Sequence, residues 1–257
     1  MKHFLRNAYR SESRAIFLAF STSPTPQRKY LIDRLVRSLI GSGIWSKLDA
    51  FYIFAAADSQ AALINWKNPG TYNATAVASP TFTADRGFTF DDGSSQYLDL
   101  NFNPHTAPTP NYTANSASRF GRLLVNDADA QDVVWGDTAT FINNFYVGTG
   151  ANQVLIRINS EGTNLTTTDA TPTGFWAVNR SGASASEFYK NGASVASNAE
   201  ASSATTNYDF NIVIGRTAGD YGDSQQASHG VGGTLTAAEH AALAFAELAY
   251  MRDVGAV

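Results

Sequence analysis

Three aspartates lie close together in one segment of the chain, where their carboxylates could hold a metal ion. Asp127, Asp129 and Asp132 are separated by only one or two residues, and carboxylate oxygens are ligands that calcium prefers. Asp220 and Asp223 form a second acidic candidate. Because the glycine and distal glutamate of an EF-hand loop are missing, a solvated turn is the alternative interpretation. Calcium is thus the only cofactor that the sequence suggests.

Two other candidate sites combine an aromatic ring with amide or carboxylate groups, which is the chemistry of a sugar-binding loop. The first comprises Tyr221, Asp220, Asp223 and His229, and the second comprises Tyr112, Asn111 and Asn115. An aromatic ring can stack on a sugar face while polar groups on loops hydrogen-bond the hydroxyls. An ordinary surface loop is the alternative for each. Trp135 and Trp176 fall in strand patterns, so we predict that they pack in the core.

No pattern typical of catalysis is evident. A sandwich glycosidase needs two carboxylates that flank the scissile bond, whereas the glutamates of this chain are isolated from one another. The histidines, His3, His105, His229 and His240, lack the spacing of metal ligands, and there is no Gly-x-Ser-x-Gly nucleophile elbow. We therefore expect no catalytic residues and no enzymatic activity. A polysaccharide-degrading enzyme is the less favoured alternative.

The composition of the 257 residues excludes several classes of partner. Charged residues make up 16% and the formal net charge is -4, so nucleic acid would meet no basic surface. No run approaches the roughly 18 apolar residues of a membrane span, and the apolar stretch 15–20 is too short for a standard export signal. We expect neither membrane insertion nor nucleic-acid binding.

The elements that must position these sites change in character along the chain. Apolar residues at helical spacing predict a helix from Gln27 to Leu39, and residues 44–54 form an apolar element that must be buried. The predicted strands are 81–84, 96–100, 121–125, 132–135, 139–147, 153–158, 173–179, 185–190 and 207–214. The first two are expected to be neighbours across the turn at 91–93. Turn signals between the strands are typical of a sandwich.

Two local units are clear near the end of the chain. Asn191-Gly192 tolerates positive φ and predicts a tight hairpin. Thr236 and Glu239 form a capping box that predicts the start of a helix. The apolar side of this helix is predicted to comprise Leu243, Phe245, Ala246, Leu248 and Ala249.

Four strings in order resemble a known β-sandwich family. They are Trp-Ala-Val-x-Arg from Trp176, Phe-Tyr-x-Asn-Gly from Phe188, Ile-Val-Ile-Gly from Ile212 and Leu-Thr-Ala-Ala-Glu from Leu235. This order resembles the concanavalin A-like, laminin-G-type jelly roll over roughly residues 80 to 250. The resemblance implies a mainly β protein, an antiparallel jelly-roll sandwich with an N-terminal helical segment and a C-terminal helix. We divide it into a helical attachment segment, 1–70, and a lectin-like domain, 71–257.

The opening of the chain resembles tailed-bacteriophage virion proteins that carry such a domain. The strings are 31–33, 43–49, 54–58, 73–76 and 80–87. The resemblance implies a structural protein of the virion, in a capsid-decorating, head-fibre or tail-associated position, with other virion proteins and surface glycans as its partners. The alternative is a capsid-cementing protein that binds no sugar. A homo-oligomer is expected, for example a trimer, although no heptad stretch specifies the number of subunits.

Overall fold

Two antiparallel β-sheets packed face to face form the body of the protein, with helices against the outer face of one sheet. The computed structural model describes residues 9–126, 132–140, 142–149, 152–204, 206 and 209–257. The predicted fold class, an antiparallel sandwich with N-terminal helices and a C-terminal helix, is confirmed.

The elements follow one another in a regular order. The helices are α1 (Ser11–Ala19), α2 (Pro26–Gly41), α3 (Ser59–Ala62) and α4 (Ala237–Val254). The first strands are β1 (Leu48–Ile53), β2 (Thr75–Val77), β3 (Thr81–Thr83), β4 (Gly87–Thr89), β5 (Tyr97–Asp99), β6 (Ala117–Val125), β7 (Asp132–Asp137) and β8 (Asn144–Thr149). The later strands are β9 (Gln153–Arg157), β10 (Leu165–Thr168), β11 (Gly174–Gly182), β12 (Ala185–Lys190), β13 (Ala193–Asn198), β14 (Ile212–Ile214) and β15 (Gln225–Gly232).

The strand order brings together segments that are distant in sequence. One sheet has the order β13-β12-β11-β6-β15-β4-β3, with β1 also paired to β15. The other has the order β10-β9-β8-β7-β14-β5-β2. Strand β15 pairs with β6 on one side. On its other side, the first residues of β15 pair with β4 and the later residues pair with β1. The N-terminal part of the chain therefore supplies a strand beside the centre of this sheet.

Strand β1 explains why residues 44–54 are so apolar. Ala50, Tyr52 and Phe54 face the interior between the two sheets. Phe51 and Ile53 face the apolar layer formed with the helices. A strand buried on both faces has no polar side, so its sequence lacks alternation. The prediction of a buried element is confirmed.

The helix ends follow their capping residues. The Thr25 hydroxyl accepts a hydrogen bond from the Arg28 backbone N–H at 3.2 Å and thereby caps α2. Thr236 and Glu239 form the predicted capping box of α4, with distances of 3.3 and 2.7 Å. Gly255, at φ 81°, ends this helix.

Two expectations about the elements are wrong. The strands near 81 and 97 are not neighbours, because β3 pairs with β4 in one sheet while β5 lies in the other; the segment at 91–93 crosses between the sheets. On α4, Phe245 is 76% exposed, whereas His240 and Glu247 are buried. Strand β15, which is buried along its whole length, was not predicted from the sequence.

Within the part of the chain that the structure describes, no helix combines the length and apolar character needed to cross a membrane.

Candidate functional site

A cleft of about 320 Å³ opens between loops at one end of the sandwich. Its lining residues are Asn126, Gly148, Asn152, Asp169, Ala170, Thr171, Pro172 and Thr173. We call this feature the loop cleft. The volume is at the lower end of the range typical of small-molecule sites.

Both sheets contribute to the loop cleft. Asn126 follows β6 of one sheet, while Gly148 lies in β8 and Asn152 precedes β9 of the other. Residues 169–173 connect β10 to β11 and so run from one sheet to the other. Asn152 has φ 62°, a left-handed conformation that asparagine adopts more readily than most residues. The position of the cleft is therefore determined by the ends of strands from both sheets.

The 169–173 connection is braced by hydrogen bonds. The Asp169 backbone N–H donates to the Asn152 carbonyl at 2.8 Å, and the Thr171 N–H donates to Asp169 Oδ1 at 2.9 Å. Lys190 Nζ forms an ion pair with the Asp169 carboxylate and donates to the Thr171 carbonyl at 2.9 Å. These contacts fix one wall of the cleft before any ligand arrives.

The buried tryptophan of β11 supports the same wall from below. Trp176 Nε1 donates to the Pro172 carbonyl at 2.5 Å, and Lys190 Nζ lies 5.0 Å from the centre of its ring. The Trp176 side chain itself is fully buried. Its predicted place in the core is confirmed, as is that of Trp135.

The exposed surface of the loop cleft is rich in hydrogen-bonding groups and carries little net charge. Asn152, Thr171 and Thr173 are exposed. Among the described residues, Asn126 Oδ1 is buried without a hydrogen-bond partner. The one carboxylate, Asp169, is balanced by Lys190. Such a surface can recognise the hydroxyls of a neutral polar ligand.

The predicted site at Tyr221 is only partly assembled. Arg216 lies between two tyrosine rings, 4.8 Å from the centre of Tyr97 and 5.4 Å from that of Tyr221. Asp220 belongs to the same loop as Tyr221, and its Oδ2 lies 3.2 Å from the hydroxyl of Tyr146 in β8. Burial raises the pKa of Tyr146 to about 12. The ring of Tyr221 and the carboxylate of Asp220 thus lie in one loop, as predicted. The guanidinium of Arg216 already packs against the Tyr221 ring.

The structure places the predicted calcium ligands in different circumstances. Asp127 and Asp129 lie outside the described residues. Asp132 is buried at the start of β7, where its Oδ1 accepts a hydrogen bond from the Asp223 backbone N–H at 3.0 Å. Asp223 and Asp132 are thereby brought together, although they were predicted in separate sites. In the residues that the structure describes, no three His, Asp or Glu side chains are grouped for a metal ion, and calcium stays a prediction.

The expectation that His229 lies in a recognition loop is wrong. His229 is in the middle of β15, fully buried, with its ring 5.1 Å from that of Trp135. Burial lowers the pKa of His229 well below its ordinary value, and the neighbouring Arg119 lowers it further. A neutral histidine inside the sandwich presents no group to an external sugar.

The second predicted sugar site is also buried at its ring. Tyr112 is fully buried, and its hydroxyl lies 2.8 Å from the side-chain oxygens of both Asn143 and Asn159. Asn111 is exposed, but its backbone and side chain bind Asp49. Asn115 is exposed and bonds to Ser202 instead. The loop therefore has no free aromatic face at Tyr112, since that ring belongs to the core.

None of the residues of the loop cleft was predicted from the sequence to form a site. The only local signal is the segment 169–174, Asp-Ala-Thr-Pro-Thr-Gly, whose residue types are typical of a turn. Nothing in the sequence brings this segment to Asn126 or Asn152, because that proximity depends on the strand order of two sheets.

The sandwich is similar to two groups of solved structures. A sialidase from Trypanosoma rangeli, in complex with 2,3-difluoro-KDN, matches with a TM-score of 0.55 and 10% identity, over 86% of this chain and 40% of the sialidase chain. The receptor binding domain of botulinum neurotoxin D matches with a TM-score of 0.51 and 12% identity, over 79% of this chain and 54% of that one. No family model and no curated protein matches the chain.

These likenesses concern the fold. The chain spans 40% to 54% of the lengths of the two structures, and at 10% to 12% identity a shared fold does not carry function with it. The sandwich that the family resemblance implied is confirmed. Neither structure is a bacteriophage protein, and the virion setting stays a prediction.

The prediction that this chain has no enzymatic activity is contradicted. Sialidases are among the structures that share the sandwich, with TM-scores of 0.53 to 0.55. The fold is therefore one that enzymes use as well as receptor-binding domains. We withdraw the prediction.

Proposed function

We propose that this protein is a carbohydrate-binding β-sandwich domain whose loop cleft holds a neutral sugar unit. The observation that carries the proposal is the cleft itself, a preformed space lined by amide and hydroxyl groups where loops from both sheets meet. Loops at the end of a rigid sandwich are a common place for recognition. The similar fold of a sialidase in complex with 2,3-difluoro-KDN supports the idea that such a sandwich can bind a sugar derivative.

The balance of charge in the cleft favours a neutral sugar over a sugar acid. The Asp169 carboxylate and the Lys190 ammonium form an ion pair beside the exposed threonines. An acidic ligand would have to compete with Asp169 for Lys190. A neutral sugar can instead bind Asn152, Thr171 and Thr173 through its hydroxyls without disturbing this pair.

A glycan array with two cleft variants tests the proposal. Asn152→Gly removes the amide but keeps a residue that tolerates the left-handed backbone at φ 62°. Thr173→Val removes a hydroxyl from an exposed position at nearly constant shape. We expect the wild-type protein to bind at least one neutral glycan, and each variant to bind it roughly five- to tenfold more weakly, since each loses one hydrogen bond.

Ser95→Gly is the matched control, because Ser95 is also exposed and left-handed, at φ 55°, and does not line the cleft. It should bind as the wild type does. Silence of the wild type on the array, or unchanged binding by both cleft variants, would contradict the proposal. Loss of binding in Tyr221→Ala alone would move the sugar site to the Tyr221 loop. Incubation of a bound oligosaccharide, followed by chromatography for released sugar, distinguishes binding from hydrolysis.

As part of the same proposal, we assign the domain to the surface of a tailed-bacteriophage particle, with residues 1–70 as its attachment segment. The bacteriophage setting is supported by the sequence resemblance, and the attachment role of residues 1–70 is also supported by their surface. Leu18 and Tyr30 are large apolar side chains of this segment that are 87% and 58% exposed. Exposed apolar residues of this kind can pack against a neighbouring subunit.

Particle incorporation tests the attachment. We expect the double variant Leu18→Lys, Tyr30→Lys to be lost from purified particles in a mass-spectrometric count, while Val195→Lys, on the exposed strand β13, is retained. Normal incorporation of the double variant would refute the attachment role. Incorporation together with a silent glycan array would favour the alternative, a capsid-cementing protein that binds no sugar. Light scattering of the purified chain tests the expected homo-oligomer.

A further inference from the structure

A second cavity, separate from the loop cleft, lies between the helices and the sandwich. It has a volume of about 190 Å³. Its walls come from the segment before α2, from α2 itself, from the region of α3 and from α4. We call it the helix cavity. Carbon atoms supply most of its surface, through residues such as Phe20, Pro24 and Ala61.

Two hydrogen-bond donors among the lining residues of the helix cavity are unpaired. Arg28 Nη1 and Trp66 Nε1 are both buried, and neither atom has a hydrogen-bond partner among the residues that the structure describes. The rest of the Arg28 guanidinium is paired, with Asp85 and with the hydroxyl of Tyr250. Buried donors in native proteins are nearly always paired with protein, water or ligand. Two such donors at one apolar cavity indicate an acceptor that occupies it.

Both donors are held in place by their neighbours. Arg28 Nη2 forms an ion pair with Asp85 at 2.5 Å. The Trp66 ring packs edge-on against Tyr250, with 5.7 Å between ring centres, and against Phe51 at 6.0 Å. The Trp66 backbone N–H donates to the Phe51 carbonyl at 2.7 Å. A ligand would therefore meet donors that are already oriented, which reduces the entropy lost on binding.

The charges around the helix cavity indicate whether its ligand is charged. Burial acts to lower the pKa of Arg28, but Tyr250 and Asp85 together raise it, so the guanidinium stays charged. Asp85 balances that charge. The Asp58 carboxylate also lines the cavity, where it caps α3 by accepting the Ala61 N–H at 2.8 Å. An additional anion would be repelled by two carboxylates, and a cation would face the unpaired Arg28 donor.

We propose that the helix cavity binds a small neutral molecule, or the end of a larger one, with an apolar body and an acyl carbonyl, such as an ester. The carbonyl oxygen accepts from Arg28 Nη1 or Trp66 Nε1, and the apolar body lies against Phe20, Pro24 and Ala61. The cavity volume of about 190 Å³ lies below the range of roughly 300 to 1,000 Å³ that is typical of drug-sized ligands. The ligand or ligand end is therefore short.

Nuclear magnetic resonance of the tryptophan indoles tests this proposal with three probes of equal size, propyl acetate, pentanoate and hexylammonium. Comparison with Trp66→Phe assigns the Trp66 indole signal among those of the four tryptophans. We expect propyl acetate to shift this signal to saturation in a millimolar titration and to leave the others in place. Pentanoate and hexylammonium should cause no saturating shift at the same concentrations.

Two arginine variants of the same helix complete the test. Arg28→Lys keeps the positive charge beside Asp85 but removes the Nη1 donor, and should weaken propyl acetate binding roughly five- to tenfold. Arg34→Lys, whose arginine is half-exposed and paired with Asp253, is the matched control and should bind as the wild type does. No saturating shift at Trp66, or equal affinity in Arg28→Lys, would overturn the proposal. Tighter binding of pentanoate would overturn the choice of a neutral ligand.

Discussion

At the scale of single residues, one buried ion pair ties the C-terminal helix to the sheet. Arg122 of β6 donates to both carboxylate oxygens of Glu247 in α4, at 2.6 to 3.0 Å. Ser228 of β15 donates to the same carboxylate at 2.8 Å. Both charged side chains are buried. A buried charge whose partner is removed is costly, because water cannot replace the partner.

We expect Glu247→Gln to lower the free energy of unfolding by about 3 to 5 kcal/mol, since Arg122 would keep its charge without a counter-ion. Urea denaturation measures the change. The exposed pair of Arg34 and Asp253 is the control, and Asp253→Asn should cost less than about 1 kcal/mol. Equal losses of unfolding free energy in the two variants would show that the buried ion pair stabilises the protein no more than the exposed one.

A buried histidine makes stability depend on pH. The ring of His240 stacks on Tyr189 with 4.1 Å between centres, and burial lowers the pKa of His240 from 6.5 to about 4 although Glu187 and Glu239 act to raise it. The folded state therefore binds fewer protons than the unfolded chain between these values. Stability due to His240 is complete above pH 6.5 and is lost as the pH falls towards 4.

We expect His240→Phe to reduce the pH dependence of unfolding, while the buried His229 still contributes to it in both proteins. The phenyl ring keeps the stack on Tyr189, and the histidine nitrogens have no partner among the described residues to lose. Between pH 4 and 6.5 the wild type should lose up to about 1.4 kcal/mol more per pH unit than the variant. Urea denaturation at a series of pH values measures both slopes. Parallel slopes would mean that His240 titrates normally in the folded protein.

At the scale of elements, the sequence predicted helices from their ends and most strands from alternation, but it did not reveal β15. This strand reads Gln-Gln-Ala-Ser-His-Gly-Val-Gly, which has almost no apolar signal. Some of its polar groups have partners inside the protein: Gln226 Nε2 donates to the Val134 carbonyl of the facing sheet, and the Ser228 hydroxyl donates to Glu247. The ring of His229 packs against Trp135 instead. Its glycines leave room for neighbours, and Phe120 covers Gly230. Strand prediction from sequence depends on the pattern of apolar residues. The position of β15 depends instead on its close packing against neighbouring strands and on its side-chain hydrogen bonds.

The same limitation explains the error on α4. The spacing of apolar residues along the helix predicted that Phe245 lies on the buried side of α4. Glu247 is buried there instead, because its carboxylate forms an ion pair with Arg122 of the sheet below. A charged residue in a helix is assigned to solvent unless its partner is known. That partner lies 125 residues away in the chain.

Two glycine substitutions test the packing of elements against each other. A Cβ at Gly232 of β15 would lie 2.3 Å from the Lys47 carbonyl oxygen at the start of β1, so Gly232→Ala must displace β1. We expect a loss of about 2 kcal/mol or more in the free energy of unfolding. At Gly41, the last residue of α2, a Cβ would meet nothing within 4 Å. There, alanine should stabilise by up to about 1 kcal/mol. Thermal and urea unfolding measure both, and a tolerated Gly232→Ala would argue against the tight β1–β15 pairing.

At the scale of the whole molecule, the candidate site shows what sequence alone cannot supply. The loop cleft needs Asn126, Asn152 and Asp169 at one end of the sandwich, and these residues follow or precede strands of two different sheets. Their types are ordinary for turns. Only the strand order makes them neighbours. The sequence instead suggested loops with aromatic residues, and two of the residues predicted in this way, Tyr112 and His229, are buried in the interior of the sandwich.

The N-terminal segment and the sandwich offer a final prediction about the molecule as a whole. Strand β1 belongs to residues 1–70, yet it pairs with β15 and is buried on both faces. Its side chains take part in both apolar layers. A segment joined so closely to the central strands cannot unfold without exposing them. We therefore expect one cooperative unfolding transition that includes the segment.

The four tryptophans report on this directly, because two lie in the N-terminal segment, Trp45 and Trp66, and two in the sandwich interior, Trp135 and Trp176. In protein labelled with 5-fluorotryptophan, fluorine resonance in urea should show the four native signals losing intensity at one midpoint. Single Trp→Phe variants assign the signals. If the Trp45 and Trp66 signals vanish at a clearly lower urea concentration than the other two, residues 1–70 form a separate unit and β1 does not bind the segment to the sandwich. A shared midpoint means that the attachment segment and the recognition domain fold as one body.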